Sequence, residues 1–270
     1  MVGRLLGRLP SEIQGHRWAA SRTVEQKTML TQIYEVSRPE EARSISQIGI
    51  DHIGILVGKE EFPRELPLQT AAEIAAAVRA PSKISALFLT ADISLIEEWA
   101  RKLQPAILHL GAAPELLGPH DVATLKRNLP DMLLMRSIPV VSEASIEIAR
   151  SYEGIADFLL LDSHRESDRQ IGALGITHDW AISRRIVEAV RTPVILAGGL
   201  GPDNVADAIR AVRPAGVDSK TKTDRDGSHQ KDLERVRRFQ EAAWAATVGV
   251  VLPNDRRRRS GIGNLCLPHR

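Results

Sequence analysis

The sequence is short of several things. It has one cysteine, Cys266, near the C-terminus. No internal disulfide can form, and no cysteine-based metal site. Aromatic residues make up 4%, so Leu, Ile, Val and Ala must fill the core. No apolar run approaches the ~18 residues of a membrane-spanning helix. The first 28 residues lack the long apolar stretch of a secretory signal. His109, His120, His164 and His178 show no metal-ligand spacing. Neither a metal nor a cofactor is indicated.

What is present begins with 270 residues that are 43% hydrophobic. That suits one large α/β domain or two small ones. Net charge is +2, and its distribution says more. Residues 1–28 carry five basic and two acidic side chains, and residues 253–270 five arginines and one aspartate. A slightly acidic body with basic ends is not the basic face of a nucleic-acid binder. We read 1–28 as an extension, disordered or lying upstream of a true start at Met29. Residues 251–270, with Arg256–Arg259, read as a solvated basic tail. The working domain is 29–250, and the cytoplasm is its expected location.

From Met29 onward, apolar runs of 5–8 residues alternate with amphipathic stretches of 10–14. The strand-like runs are 30–36, 52–57, 84–90, 106–110, 133–141, 157–162, 193–197 and 216–219. Helix-like runs begin near Arg38, Thr70, Asp92, His120, Ala144, Asp179, Pro202 and Gln230. "ADISLIEEWARKL" and "NVADAIRAVRP" space apolar residues by three and four, as helices packed on one face do. Such alternation forces parallel strands. Eight strand–helix units predict a single (β/α)8 domain, the TIM barrel. The runner-up, a doubly wound open sheet, carries a G-x-G-x-x-G turn after its first strand, and Tyr34–Arg38 has none.

In a barrel the working groups lie at the C-terminal strand ends. Tyr34 and Glu35 end the first strand, and Ser37, Pro39 and Glu40 then look like a helix start with Ser37 as its cap. Lys59 and Arg64 lie in the loop after the second strand and are a candidate clamp for an anion. Asp162 ends the sixth strand, where a carboxylate is costly unless paired or used. The Gly-rich segments holding Gly172 and Gly175, then Gly198 and Gly199, lead into helices. Together they suit a phosphate, through free N–H groups and the helix dipole. On the eighth strand Asp218, Lys220 and Lys222 share a face if the strand persists, with Thr221 on the other. A lysine there is a point charge for phosphate or, if desolvated, a Schiff-base nucleophile.

The segments "LLLDS", "GALGITHDW", "PVILAGGLGPDNVADAIRAVRPAGVDSKTKTD" and "KDLERVRRF" resemble the C-terminal half of phosphoribosylanthranilate isomerase. The likeness covers Asp157–Phe239 and extends more faintly back to Met29. It implies a (β/α)8 barrel with a phosphate site in its last units. It also implies an Amadori rearrangement of an aminoaldose phosphate to an aminoketose phosphate, within tryptophan biosynthesis. The family's general acid matches Asp162. Its base, a Cys in a K-I-C-G pattern ending the first strand, is replaced by Tyr34, and the following Gly by Glu35. A phenol titrating near 10 is a poorer base than a thiol near 8.5. The family's Q-L-H-G aligns with Leu108–Gly111, which turns two same-face polar residues into Leu108 and Leu110. Its S-S-G aligns with Lys220-Thr221-Lys222, and its G-G-T-G with Gly172–Gly175. Arg64 is the counterpart of the arginine that meets the anthranilate carboxylate.

Three accounts follow. One is a divergent isomerase using Asp162 with Tyr34 or Glu35. Another is a relative with lyase or aldolase chemistry at Lys220 or Lys222. The third is a binding protein without catalysis. The expected partner is a phosphorylated small molecule, not nucleic acid or membrane, bound by a monomer or homodimer.

Overall fold

In the computed structural model, residues 29–163 and 177–247 are described. Eight parallel strands close into a barrel in chain order. They are β1 (Leu30–Ile33), β2 (His52–Leu56), β3 (Lys83–Phe88), β4 (Ile107–Leu110), β5 (Leu133–Pro139), β6 (Phe158–Asp162), β7 (Val194–Leu196) and β8 (Gly216–Ser219). Pairing of β1 with β8, Gln32 opposite Asp218 and Ile33 opposite Ser219, closes the ring. Each strand is followed by a helix: α1 (Pro39–Ile48), α2 (Leu68–Ala77), α3 (Ile93–Leu103), α4 (Pro119–Asn128), α5 (Ala144–Ser151), α6 (Trp180–Ala189), α7 (Val205–Val212) and α8 (Leu233–Thr247).

The local chemistry explains where elements stop. Asp92 caps α3 by accepting from the Leu95 N–H, and Asp179 caps α6 through the Ala181 N–H. Ser37 is not the cap of α1. Arg38 holds that position, and the Ser37 N–H and hydroxyl instead donate to Glu41, one turn into the helix. Strand β8 ends at Ser219, because Lys220 turns into a single 3-10 turn, Thr221–Thr223. The extended face shared by Asp218, Lys220 and Lys222 therefore does not form.

The large core lies between sheet and helices, with Ile33, Ile53, Leu134, Leu161, Val205 and Phe239 fully or almost fully buried. A smaller cluster of Ile107, Met135, Leu160, Ile195 and Ala197 fills the barrel interior. Arg136 is fully buried on the outer face of β5. Its guanidinium donates to the Leu110 and Leu117 carbonyls and lies 5.1 Å from the Tyr152 ring centroid. That pins the β4–α4 loop without any carboxylate.

Candidate active site

The apolar interior layer gives way toward the C-terminal mouth to polar side chains. Gln32, Ser85, His109, Ser137 and Asp218 are buried on that side, with buried His52 below them at the start of β2. They form two hydrogen-bonded chains. In the first, the Tyr34 hydroxyl lies 2.6 Å from both Ser85 Oγ and His109 Nδ1, and His109 Nε2 lies 2.7 Å from Ser137 Oγ. The Tyr34 and His109 rings meet edge to face, 5.2 Å apart. In the second, Gln32 links His52 to Asp218. Its Nε2 donates to Asp218 Oδ1 at 3.2 Å, and its Oε1 lies 3.2 Å from His52 Nδ1. An amide oxygen only accepts, so His52 carries its proton on Nδ1.

These surroundings fix charge. Burial pushes the His109 imidazole down to about 3, helped by Arg136, and the His52 imidazole down to about 4. Both are neutral. Burial first, and Asp218 as a minor cause, raises the Tyr34 phenol well above its ordinary range. Tyr34 thus stands where a first-strand base would be expected, but its hydroxyl turns inward to neutral partners. It plugs the barrel instead. Gly54 on β2 makes the room, since a Cβ there would lie 2.4 Å from the Tyr34 ring.

The β4 residues are not disposed as the alignment implies. Leu108 and Leu110 face the helices, and His109 points inward with Tyr34 and Ser137.

Asp162 and Asp218 come together. Leu161 pairs with Leu196, and Leu196 with Val217. The next residue along each strand places Asp162, Ala197 and Asp218 side by side, with buried Ala197 between. Asp162 Oδ1 accepts from the Ser163 N–H at 2.7 Å. Burial first, then the charge of Asp162, pushes the Asp218 carboxyl up to about 8.

Glu35 sits at the rim. Its backbone is left-handed (φ 56°), as is that of Arg64 (φ 70°). Such strain in non-Gly residues persists only where the surroundings impose it. Arg64 donates to the Glu35 carboxylate through Nε, and through Nη2 at 3.2 Å, and Lys220 Nζ lies 2.7 Å from Oε1. Glu35 is 10% exposed and Lys220 14%. Burial would raise the Glu35 carboxyl, yet Arg64 and Lys220 outweigh it and hold it below the ordinary range. The lysine thus serves as a counter-charge.

Supporting residues escaped the sequence reading. Glu65 is buried, and its carboxylate accepts from the N–H groups of Glu61 and Phe62. That shapes the loop presenting Arg64. Buried Lys231 donates to Asp224 at 2.5 Å and to the Lys220 carbonyl at 3.1 Å, holding the turn after β8. The apolar-run pattern gives neither residue any signal.

In the β7–α7 loop Gly198 and Gly199 are left-handed (φ 84° and 62°). Asn204 ties the loop, accepting from the Gly201 N–H and donating to the Gly199 carbonyl. A Cβ on Gly201 would lie 2.6 Å from the Lys222 Cβ, so that lysine crosses the loop closely. Thr221 lies exposed in the 3-10 turn. Gly172 and Gly175 lie outside the described residues, as do 1–28 and 248–270. Among the described residues no His, Cys, Asp or Glu cluster is placed to hold a metal ion, and no helix is long and apolar enough to cross a membrane.

The comparisons agree with the barrel fold. The family profile described as N-(5'phosphoribosyl)anthranilate (PRA) isomerase matches residues 32–242. The N-(5'-phosphoribosyl)anthranilate isomerase of Methanocella arvoryzae is 38% identical over 205 residues, covering 75% of this chain and 92% of that one. The same-named protein of Afipia carboxidovorans is 34% identical, covering 82% and 91%. Among solved structures, phosphoribosyl anthranilate isomerase from Thermococcus kodakaraensis superposes with a TM-score of 0.65 at 26% identity, over 80% of this chain and 98% of that one. The chain belongs to the N-(5'-phosphoribosyl)anthranilate isomerase family.

Proposed function

We propose that the chain isomerises an N-substituted aminoaldose phosphate to the aminoketose phosphate, with Asp162 and Asp218 handling the protons. The observation that carries this reading is the placing of Asp162 and Asp218 on the strands that flank β7 at the barrel mouth, where the charge of Asp162 adds to burial in raising the Asp218 carboxyl. Around neutral pH Asp218 keeps its proton, held there by burial and by the charge of Asp162. One member can therefore act as acid and the other as base.

The chemistry balances within the substrate. The protonated carboxyl, that of Asp218 in the resting protein, donates to the ring oxygen. The C1–O bond breaks and an iminium forms between C1 and nitrogen. The neighbouring carboxylate takes the C2 proton, and the C–H electrons form a C1–C2 double bond as nitrogen recovers its lone pair. Reprotonation at C1, with loss of the C2 hydroxyl proton, gives the ketone. The glycine turn and the start of α7 suit the phosphate. Tyr34 shapes the floor of the site and moves no proton. We expect a monomer or homodimer acting in the cytoplasm, because a phosphorylated sugar does not cross membranes unaided.

The test is conversion of N-aryl glycosylamines of ribose 5-phosphate, formed in place from the sugar phosphate and either aniline or 2-aminobenzoate. Ketose formation should be measurable with the native protein. Asp162→Asn should lower it by two or more orders of magnitude with little change in melting temperature. A large loss of melting temperature at intact turnover would make Asp162 structural.

A further inference from the structure

We infer that Gln32 and His52 are positioning residues that hold the proton of Asp218 on Oδ2, the oxygen left open to the mouth. The inference rests on the isomerase reading for what that proton does and goes beyond it in fixing where the proton sits. Gln32 on β1 lies opposite both Asp218 on β8 and His52 on β2. All three side chains are buried. A buried amide must find partners within the protein, and both ends of the Gln32 amide do.

Nε2 of Gln32 donates to Asp218 Oδ1 at 3.2 Å. A protonated carboxyl has one oxygen that accepts and one that carries the hydrogen. The oxygen facing an N–H is the acceptor, so the hydrogen sits on Oδ2. That atom has no hydrogen-bond partner among the described residues and is not sealed from solvent. It can donate to a bound substrate without first breaking a bond within the protein. His52 makes the arrangement one-sided. Turning the Gln32 amide over would set its NH2 group against the Nδ1–H of His52. It would also set Oε1 against Asp218 Oδ1 and draw the carboxyl hydrogen into the barrel. Reversal therefore requires the amide, the His52 tautomer and the Asp218 proton to change together. The His52 ring itself is held edge to face by Phe158, 5.8 Å between centroids. Charge reaches Asp218 from Asp162 on β6, Lys220 after β8 and Lys231 before α8, and reaches His52 from Asp51 and Lys83. Substituting the amide leaves all of these groups in the chain.

The test is nuclear magnetic resonance of the full-length protein with isotope-labelled histidine and aspartate. His52→Phe and Asp218→Asn assign the two signals. At neutral pH wild-type His52 should be neutral, with its hydrogen on Nδ1. Gln32→Met has nearly the same bulk and no donor. It should move the Asp218 titration to higher pH, because the lost N–H favours the charged form. Gln32→Lys puts a cation there and should move the titration to lower pH. On the N-aryl glycosylamine phosphates, kcat should fall at least about tenfold in Gln32→Met, with KM within about twofold. A His52 hydrogen on Nε2 overturns the inference. So does any other order of the three Asp218 titrations, or an undiminished kcat in Gln32→Met. If neither Gln32 variant folds, the wild-type tautomer decides alone. A wild type without turnover that shows the expected tautomer and titrations would leave the proton placement standing and remove the isomerase reading.

Discussion

Tyr34 shows how far a residue type misleads when its partners are unknown. Its place at the end of β1 suggests chemistry, but its hydroxyl is taken by Ser85 and His109 inside the barrel. Tyr34→Phe should cost about 1–2 kcal/mol in urea denaturation, since buried partners lose a hydrogen bond. Turnover should stay within a few-fold. Loss of turnover at unchanged stability would return Tyr34 to the chemistry.

Asp218 behaves oppositely. Unfolded, its carboxyl titrates near 3.8, and in the barrel near 8. Below both values each state holds the proton and nothing is lost. Between them the unfolded chain releases it while the folded chain keeps it, so stability falls as pH rises from about 4 to about 8. Asp218→Asn keeps an oxygen for Gln32 but removes this titration. Its melting temperature should exceed that of the wild type by a margin that grows from about pH 5 to about pH 8, while turnover drops. A margin that stays constant or shrinks would refute the buried, protonated carboxyl.

Among elements, the β1–β2 pair carries a coupling that no single strand displays. Gly54 leaves room for the Tyr34 ring. Gly54→Ala should destabilise by about 1–3 kcal/mol through overpacking, and by clearly less in a Tyr34→Ala background. The denaturation double-mutant cycle measures that coupling, and additive effects would contradict the packing. The strands themselves were legible, because short apolar runs between amphipathic stretches have one stable arrangement. Their inner faces were not. Both faces of a barrel strand are buried, so alternation separates two sets of residues without saying which points inward. On β4, Leu108 and Leu110 share the face toward the helices, and His109 points inward. The end of β8 was ambiguous for a similar reason. Lys220 and Lys222 fit an extended strand as well as the 3-10 turn they adopt.

At the scale of the whole molecule, barrel closure makes the site. Glu35, Arg64 and Lys220 are scattered along the chain, as are Asp162 and Asp218, and each group meets only because β1 pairs with β8 and short β7 lies between β6 and β8. Buried Lys231 secures the join, bonding Asp224 through its ammonium and Glu41 through its N–H. Motifs placed Asp162, Arg64 and the glycine turn at the mouth. The pairing of Asp162 with Asp218, and of Glu35 with its two cations, depends on register and loop shape, which local sequence does not encode.

The central claim is that this pair of carboxyl groups moves protons on a sugar phosphate. It is tested most directly by running the reaction in deuterium oxide and locating the label in the ketose by mass spectrometry. One deuterium at C1 is expected with the wild type, and ketose formed at least a hundredfold more slowly by Asp162→Asn and by Asp218→Asn. Label-free product, or undiminished rates in both variants, would contradict it.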